Sequence, residues 1–355
     1  MDFTISALES AKAGRQALNV VFEAGSDVNA AALGAAIDWL LVLRGLPQDG
    51  QYTAQVGAVR TEGGYILAIH LKVEEPGTLP SEPEPIPEGG YEVIEGVYHV
   101  YNEEGLKKWA EAAQKDLSTS CTLERDITLS GEWTPIGNSS TPYTGKFDGN
   151  HCTITGLTIT GNNDYAGLFG RIGSGGTVQN LTLQNVDISG SWNVGGVAGS
   201  NYGGTITGCK VEGGSVSGSI TVGGMAGLNG GTITACYATG SVSGSSRVGG
   251  VVGTNQRVNY VDGTAGGYVT ACYHAGGSVS GSTDVGGVVG LKYSGTVTAC
   301  YWSGSVTGGN GSGDATEVDG TTTTWETAYN AMDKAASGYY KYINETTPPK
   351  LKWEK

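Results

Sequence analysis

Three tyrosines each follow a cysteine at matching points of this chain: Cys236-Tyr237, Cys272-Tyr273 and Cys300-Tyr301, the last continued by Trp302. Aromatic side chains in a row combine apolar faces with polar tips, so they could stack on sugar rings or on a protein partner. Tyr237, Tyr273, Tyr301 and Trp302 are therefore the candidate ligand-binding residues, with Lys210 in the equivalent position one copy earlier. The competing role is an aromatic ladder that only stabilises its own sheet. Cys209, Cys236, Cys272 and Cys300 suit a different role, since they replace Leu181 of the first copy and read as a reduced, buried ladder. Parallel Cβ vectors do not converge well enough for a disulfide, and a straight ladder offers zinc no tetrahedral ligand set.

Acid–base chemistry finds little to work with. Glycoside hydrolysis usually needs two carboxyl groups roughly 5–9.5 Å apart. The acids of the repeat region are sparse: Asp148, Asp164, Asp187, Glu212, Asp262 and Asp284. Asp164 and Asp284 lie near one edge, but three repeat copies separate them. His70, His99, His151 and His274 sit in unrelated segments, so no triad is apparent. The glycine phrase VGGVVG is followed by no Gly-Lys-Ser/Thr, as a phosphate loop would require. A Thr-x-Thr column (Thr205/Thr207, Thr232/Thr234, Thr296/Thr298) is flat enough to suggest ice binding, but Tyr268 interrupts it. The expectation is no catalytic residue, no metal and no cofactor. The rival expectation is a carbohydrate-active lyase or hydrolase, or its inactive relative, with Asp262 and Asp284 drawn together beside the insertion at 257–267.

The elements that would position these residues come from a repeat. The phrases YAGLFG, VGGVAG, VGGMAG, VGGVVG and VGGVVG start at Tyr165, Val194, Val222, Val248 and Val285, at intervals of 29, 28, 26 and 37 residues. Such a period marks a solenoid in which each unit buries its apolar face against its neighbours. After each phrase comes a short Thr/Val/Ile/Tyr-rich strand, as in GGTITACYA, then a Ser/Gly/Val segment, as in GSVSGS. Aligned copies give the columns Val178/Ile206/Ile233/Val269/Val297, Leu181 with the four cysteines, and Ile188/Val216/Val242/Val279/Val306. In a parallel β-helix these become inward ladders with rungs ~4.8 Å apart. The first two columns are three positions apart, which demands a bend at Gly208, Ala235, Ala271 and Ala299. A propeller blade usually needs ~40–45 residues, more than most of these units.

The phrase, together with GTITACYATGSVSG from Gly231, resembles the GLUG motif of bacterial secreted and cell-surface proteins. The approach to it, a helix followed by TLERDITLSGEWTPIG and YTGKFDGNHCTITGL, resembles the entry region of such proteins, so the likeness covers about residues 91–311. The resemblance implies a surface scaffold of adhesin-like type and brings no catalytic residues. The expected fold is mainly β: a parallel β-helix with capping helices over residues 91–355, with GLUG-like repeats at 165–311, preceded by a small α+β domain. The expected function is adhesion to a host or matrix glycan or protein through the β-helix flank.

Composition narrows the classes further. The 355 residues hold 61 glycines without a triplet period and carry a formal charge of −14, which argues against both collagen and nucleic-acid binding. No run is long and apolar enough to cross a bilayer. MDFTISALES lacks the features of a signal peptide. That fits either a cytosolic protein or an exported one whose signal is absent from this chain. The resemblance favours the second, hence an extracellular or cell-surface monomer. Residues 1–75 suggest strands at Asp2–Glu9, Ala17–Ala24, Tyr52–Arg60 and Tyr65–Val73, and a helix carrying Val28, Ala32, Ala35, Trp39 and Leu43. Residues 76–90 form a Pro/Glu-rich linker. Asn102 is placed to cap a helix with Leu106, Trp109 and Ala113 on one face, which would close the first coil. Thr324 precedes a second helix with Trp325, Ala328 and Met332 on one face, and PKLKWEK could add an edge strand that tucks Trp353 inward.

Overall fold

The computed structural model describes residues 4–6, 17–23, 53–61, 64–72, 86–258, 266–309, 311 and 315–354. The chain divides into two units, Met1–Pro85 and Ile86–Lys355. In the first, β1 (Thr4–Ser6), β2 (Ala17–Glu23), β3 (Thr53–Thr61) and β4 (Gly64–Lys72) form an antiparallel sheet in the order β1-β2-β4-β3. The helix expected around Val28–Leu43 lies outside the described residues, as does Asp262 with the tip of the insertion.

The second unit is a parallel β-solenoid of about six turns. Its inward columns follow the repeat register: Phe147, Val178, Ile206, Ile233, Val269 and Val297 pair rung to rung. Ile188, Val216, Val242, Val279 and Val306 do the same on the next face. Between these faces the backbone turns through left-handed conformation at Asn180, Gly208, Ala235, Ala271 and Ala299, with φ between 49° and 60°. Each non-glycine residue there carries a strain of order 1–3 kcal/mol, which a tightly determined coil can hold. Leu181 and the four ladder cysteines then enter the core, essentially without exposure and unpaired. Cys236 Sγ, for example, donates to Ile206 O of the preceding coil at 3.7 Å.

The glycine phrase has a packing reason. Its two halves form two further sheets, one through Trp192–Gly195 and its equivalents, the other through Ala198–Asn201 and its equivalents. These sheets approach at backbone distance. A Cβ on Gly227 would lie 2.5 Å from the amide nitrogen of Val194, and one on Gly253 would lie 2.5 Å from that of Val222. The apolar pair inside each phrase, such as Val197-Ala198 or Val251-Val252, fills the bore instead.

Helix α1 (Glu103–Lys115) closes the first coil. Asn102 accepts a hydrogen bond from Gly105 N at 2.9 Å, and Glu103 and Glu104 complement the positive helix end. Leu106, Trp109 and Ala113 are buried, and Trp109 meets Phe147 at 5.0 Å and Phe169 at 6.1 Å, so an aromatic plug fills the bore under the helix. Residues 86–90, expected in the linker, belong to this cap: Gly90 is buried and accepts from Tyr101 N.

Helix α2 (Trp325–Ala335) buries the expected Trp325, Ala328 and Met332, with Thr324 accepting from Thr327 N. Its place differs from a second end cap. It lies outside the solenoid, against Ala235, Tyr237, Ala271, Tyr273 and Tyr301. The terminal residues do pair, but Lys350–Leu351 pairs with Tyr340–Lys341, and Leu351 rather than Trp353 takes the fully buried position.

Candidate functional site: a groove on the tyrosine flank

Neighbouring strand residues face opposite sides, so the cysteines turn into the bore and the tyrosines out of it. The outward column runs Thr182, Lys210, Tyr237, Tyr273, Tyr301 in strict register. It is not the open flank the sequence led us to expect. Tyr237, Tyr273 and Tyr301 retain only 3%, 2% and 9% of their exposure, because α2 and the terminal strand cover them. Tyr237 and Tyr273 stack at 4.6 Å, Tyr273 meets Trp325 at 5.3 Å, and its hydroxyl donates to Pro349 O at 2.7 Å. Trp302 leaves the row altogether. It continues the inward column Leu183, Val211, Ala238, His274 and packs over Gly287. His274 there is buried and bonds Gly240 O at 3.0 Å; burial pushes its ionisation below the usual imidazole range.

Where the covering segment ends, a groove of about 840 Å³ opens between it and the solenoid, lined in part by Thr182, Lys210, Glu212, Tyr237, Trp353 and Glu354. Lys210 is its centre. Its ammonium lies 3.1 Å from Glu212 Oε1 and 3.1 Å from Glu354 Oε2, with side-chain exposures of 10% for the lysine and 6% for Glu354. The Tyr237 hydroxyl sits 2.9 Å from the same two carboxylate oxygens. Burial, then the Tyr273 ring and the two carboxylates, pushes the Tyr237 phenol far above its ordinary range, so it stays a neutral donor. Glu354 Oε1 accepts from Leu351 N at 2.5 Å, which ties the last turn of the chain to the cluster. Trp353 lies under the Lys210 ammonium at 5.3 Å and against His151 at 4.9 Å. Glu354 and Trp353 were not foreseen as partners of this flank. The available signal was Lys210 itself, a charged residue in a column otherwise filled by threonine and tyrosine.

The other acids are dispersed. Asp148 bonds Gln179 and Asn180, Asp187 meets Ser215 at 3.3 Å, and Asp284 holds a left-handed corner at φ 54°. Among the described residues no group of His, Cys, Asp or Glu could hold a metal ion. A buried asparagine ladder also escaped the sequence reading: Asn201 donates to Asn229 and Asn229 to Asn255, each at 2.9 Å. Its signal was an asparagine two residues after the last glycine of three successive phrases.

Comparison with known proteins agrees with this coil. Residues 190–217 match the GLUG motif. These GLUG residues run from one Ser/Gly/Val segment through the phrase to the next. Over 88 residues the chain is 40% identical to "Halomucin" of Haloquadratum walsbyi, which is 24% of this chain and 1% of that protein. Over 74 residues it is 39% identical to a "Putative Gly-rich membrane protein" of Evansella cellulosilytica, 20% of this chain and 9% of that one. The chain thus spans only a small part of either curated relative. A crystal structure described as "a putative immunoglobulin A1 protease" from Bacteroides ovatus superposes with a TM-score of 0.56 at 18% identity, covering 73% of this chain and 93% of that one. At that identity the likeness concerns the fold.

Proposed function

We propose that this chain is a non-catalytic scaffold of the cell surface or extracellular space that adheres through the flank of its β-helix to a glycan or protein of the host or matrix, acting as a monomer. The observation that carries the reading is the groove on the tyrosine flank, a concave, mixed polar and aromatic site on an otherwise regular shaft. The GLUG segment and its likeness to a halomucin and to a membrane protein support a surface location. The expected experiment is binding of the full chain to arrays of glycans and matrix proteins at physiological salt. Retention on at least one class supports adhesion, and no retention on either class overturns it.

One observation favours the rival, a carbohydrate-active enzyme: Glu212 and Glu354 bring two carboxylates together in a groove. Both are already engaged by Lys210 and Tyr237, and Glu354 also fastens the chain end, so a structural duty accounts for them. Polysaccharide turnover that disappears in Glu212→Gln would establish the enzyme.

A further inference from the structure

From the two orphaned polar atoms at the groove we infer that its ligand is a neutral glycan, taken up by a small shift of the terminal turn that carries Trp353. This rests on the adhesive reading of the flank and names its ligand and its contacts. Buried polar atoms nearly always find partners, because leaving one without forfeits the hydrogen bonds it made to water. Here two residues lining the groove break that rule: Thr182, only 2% exposed, has an unpartnered Oγ1, and Trp353 has an unpartnered Nε1. The hydroxyl is a donor and an acceptor, and the indole is a donor only. The indole requires an acceptor and the hydroxyl takes either a donor or an acceptor, so sugar hydroxyls can satisfy each of them.

The surroundings select the same chemistry. The aromatic faces are taken, Tyr237 by Tyr273 and Trp353 by His151 and Lys210, so recognition falls to edges and hydroxyls rather than to stacking. Of the charged residues lining the groove, Asp126, Glu212 and Glu354 are acidic against Lys210 and Lys350, with Lys210 held between Glu212 and Glu354, and the whole chain carries −14. Both features oppose a polyanionic glycan. The two orphaned atoms are closed to water as the groove stands. The terminal turn must move slightly for a ligand to reach them, and the hydrogen bonds it then makes offset the cost of that opening.

The test uses the full chain with cellohexaose, chitohexaose and maltohexaose as neutral probes and an oligogalacturonate as the acidic one. Affinity is read by calorimetry and by the change in tryptophan fluorescence. Expected is binding of at least one neutral hexamer, none of the acidic one, and about a tenfold loss in each of Trp353→Phe and Thr182→Val. Thr182→Val keeps the β-branched shape on the solenoid, so it remains informative if Trp353→Phe loosens the terminal turn. Neutral hexamers bound equally by wild type and both variants would overturn the groove assignment while leaving adhesion standing. Preference for the oligogalacturonate, or no hexamer bound while a matrix protein is, would overturn the ligand class alone. Silence toward every glycan and every matrix protein would remove both.

Discussion

Two amphipathic helices of this chain carry nearly the same apolar stripe and do opposite things with it. Helix α1 turns Leu106, Trp109 and Ala113 into the end of the bore, where Phe147 and Phe169 already stand. Helix α2 turns Trp325, Ala328 and Met332 onto the outside of the sheet, where the tyrosine column stands. The first belongs to the hydrophobic core of the solenoid, and the second builds a separate core on its flank. A stripe sets how much of a helix is buried but not against what. The partner surface decides that, and here an outward aromatic column competes for a helix as well as an open coil end does.

The two helices should differ most at the plug. Trp109→Ala should cost ~3–5 kcal/mol, because a large cavity opens inside a closely packed bore. The loss should appear as a lower urea midpoint of the whole second unit by circular dichroism. Met332→Ala removes a comparable buried anchor from the flank, at about 2 kcal/mol, near the lower end for such truncations. Its effect should be local: faster proteolysis after residue 315 with the solenoid midpoint unmoved. If both variants lowered the midpoint alike, plug and strap would be one cooperative core and the distinction would fail.

A finer test is Tyr340→Phe, which removes a hydrogen bond of 2.8 Å to Ala271 O at the left-handed corner. It should loosen the strap by ~1 kcal/mol, measured as faster amide exchange in α2 but not in α1. Smallest is the acid response of the cap. The Lys107 ammonium and the Ser130 amide and hydroxyl hold Glu103 at about 2, below its ordinary 4.5. The folded value is the lower one, so the stabilisation is whole above pH 4.5 and is lost as pH falls through 2. Between pH 5 and 2.5 wild type should lose slightly more stability than Glu103→Gln, and equal losses would remove Glu103 from the account.

Much of this was legible in the chain because a repeat states the same physics several times. The three-residue step between the inward columns announced a bend at Gly208, Ala235, Ala271 and Ala299, which the backbone makes in left-handed conformation, and the alternation of Cys236 with Tyr237 set which side of each rung faces the bore. The stripes of both helices could likewise be read residue by residue. Trp302 misled because it follows Tyr301 directly, and adjacent strand residues cannot share a face.

What the residues alone determined is therefore local and periodic: the coil, its inward ladders, and the glycines that let two sheets meet at backbone distance. The groove was beyond their reach. It exists because Glu354 returns across 144 positions of sequence to Lys210, and Trp353 settles between that lysine and His151. Periodicity carries no information on such a contact, since neither residue repeats. Only the folded chain brings the Glu354 side-chain carboxylate within hydrogen-bonding reach of Tyr237 and Lys210, with the Trp353 ring beside the lysine.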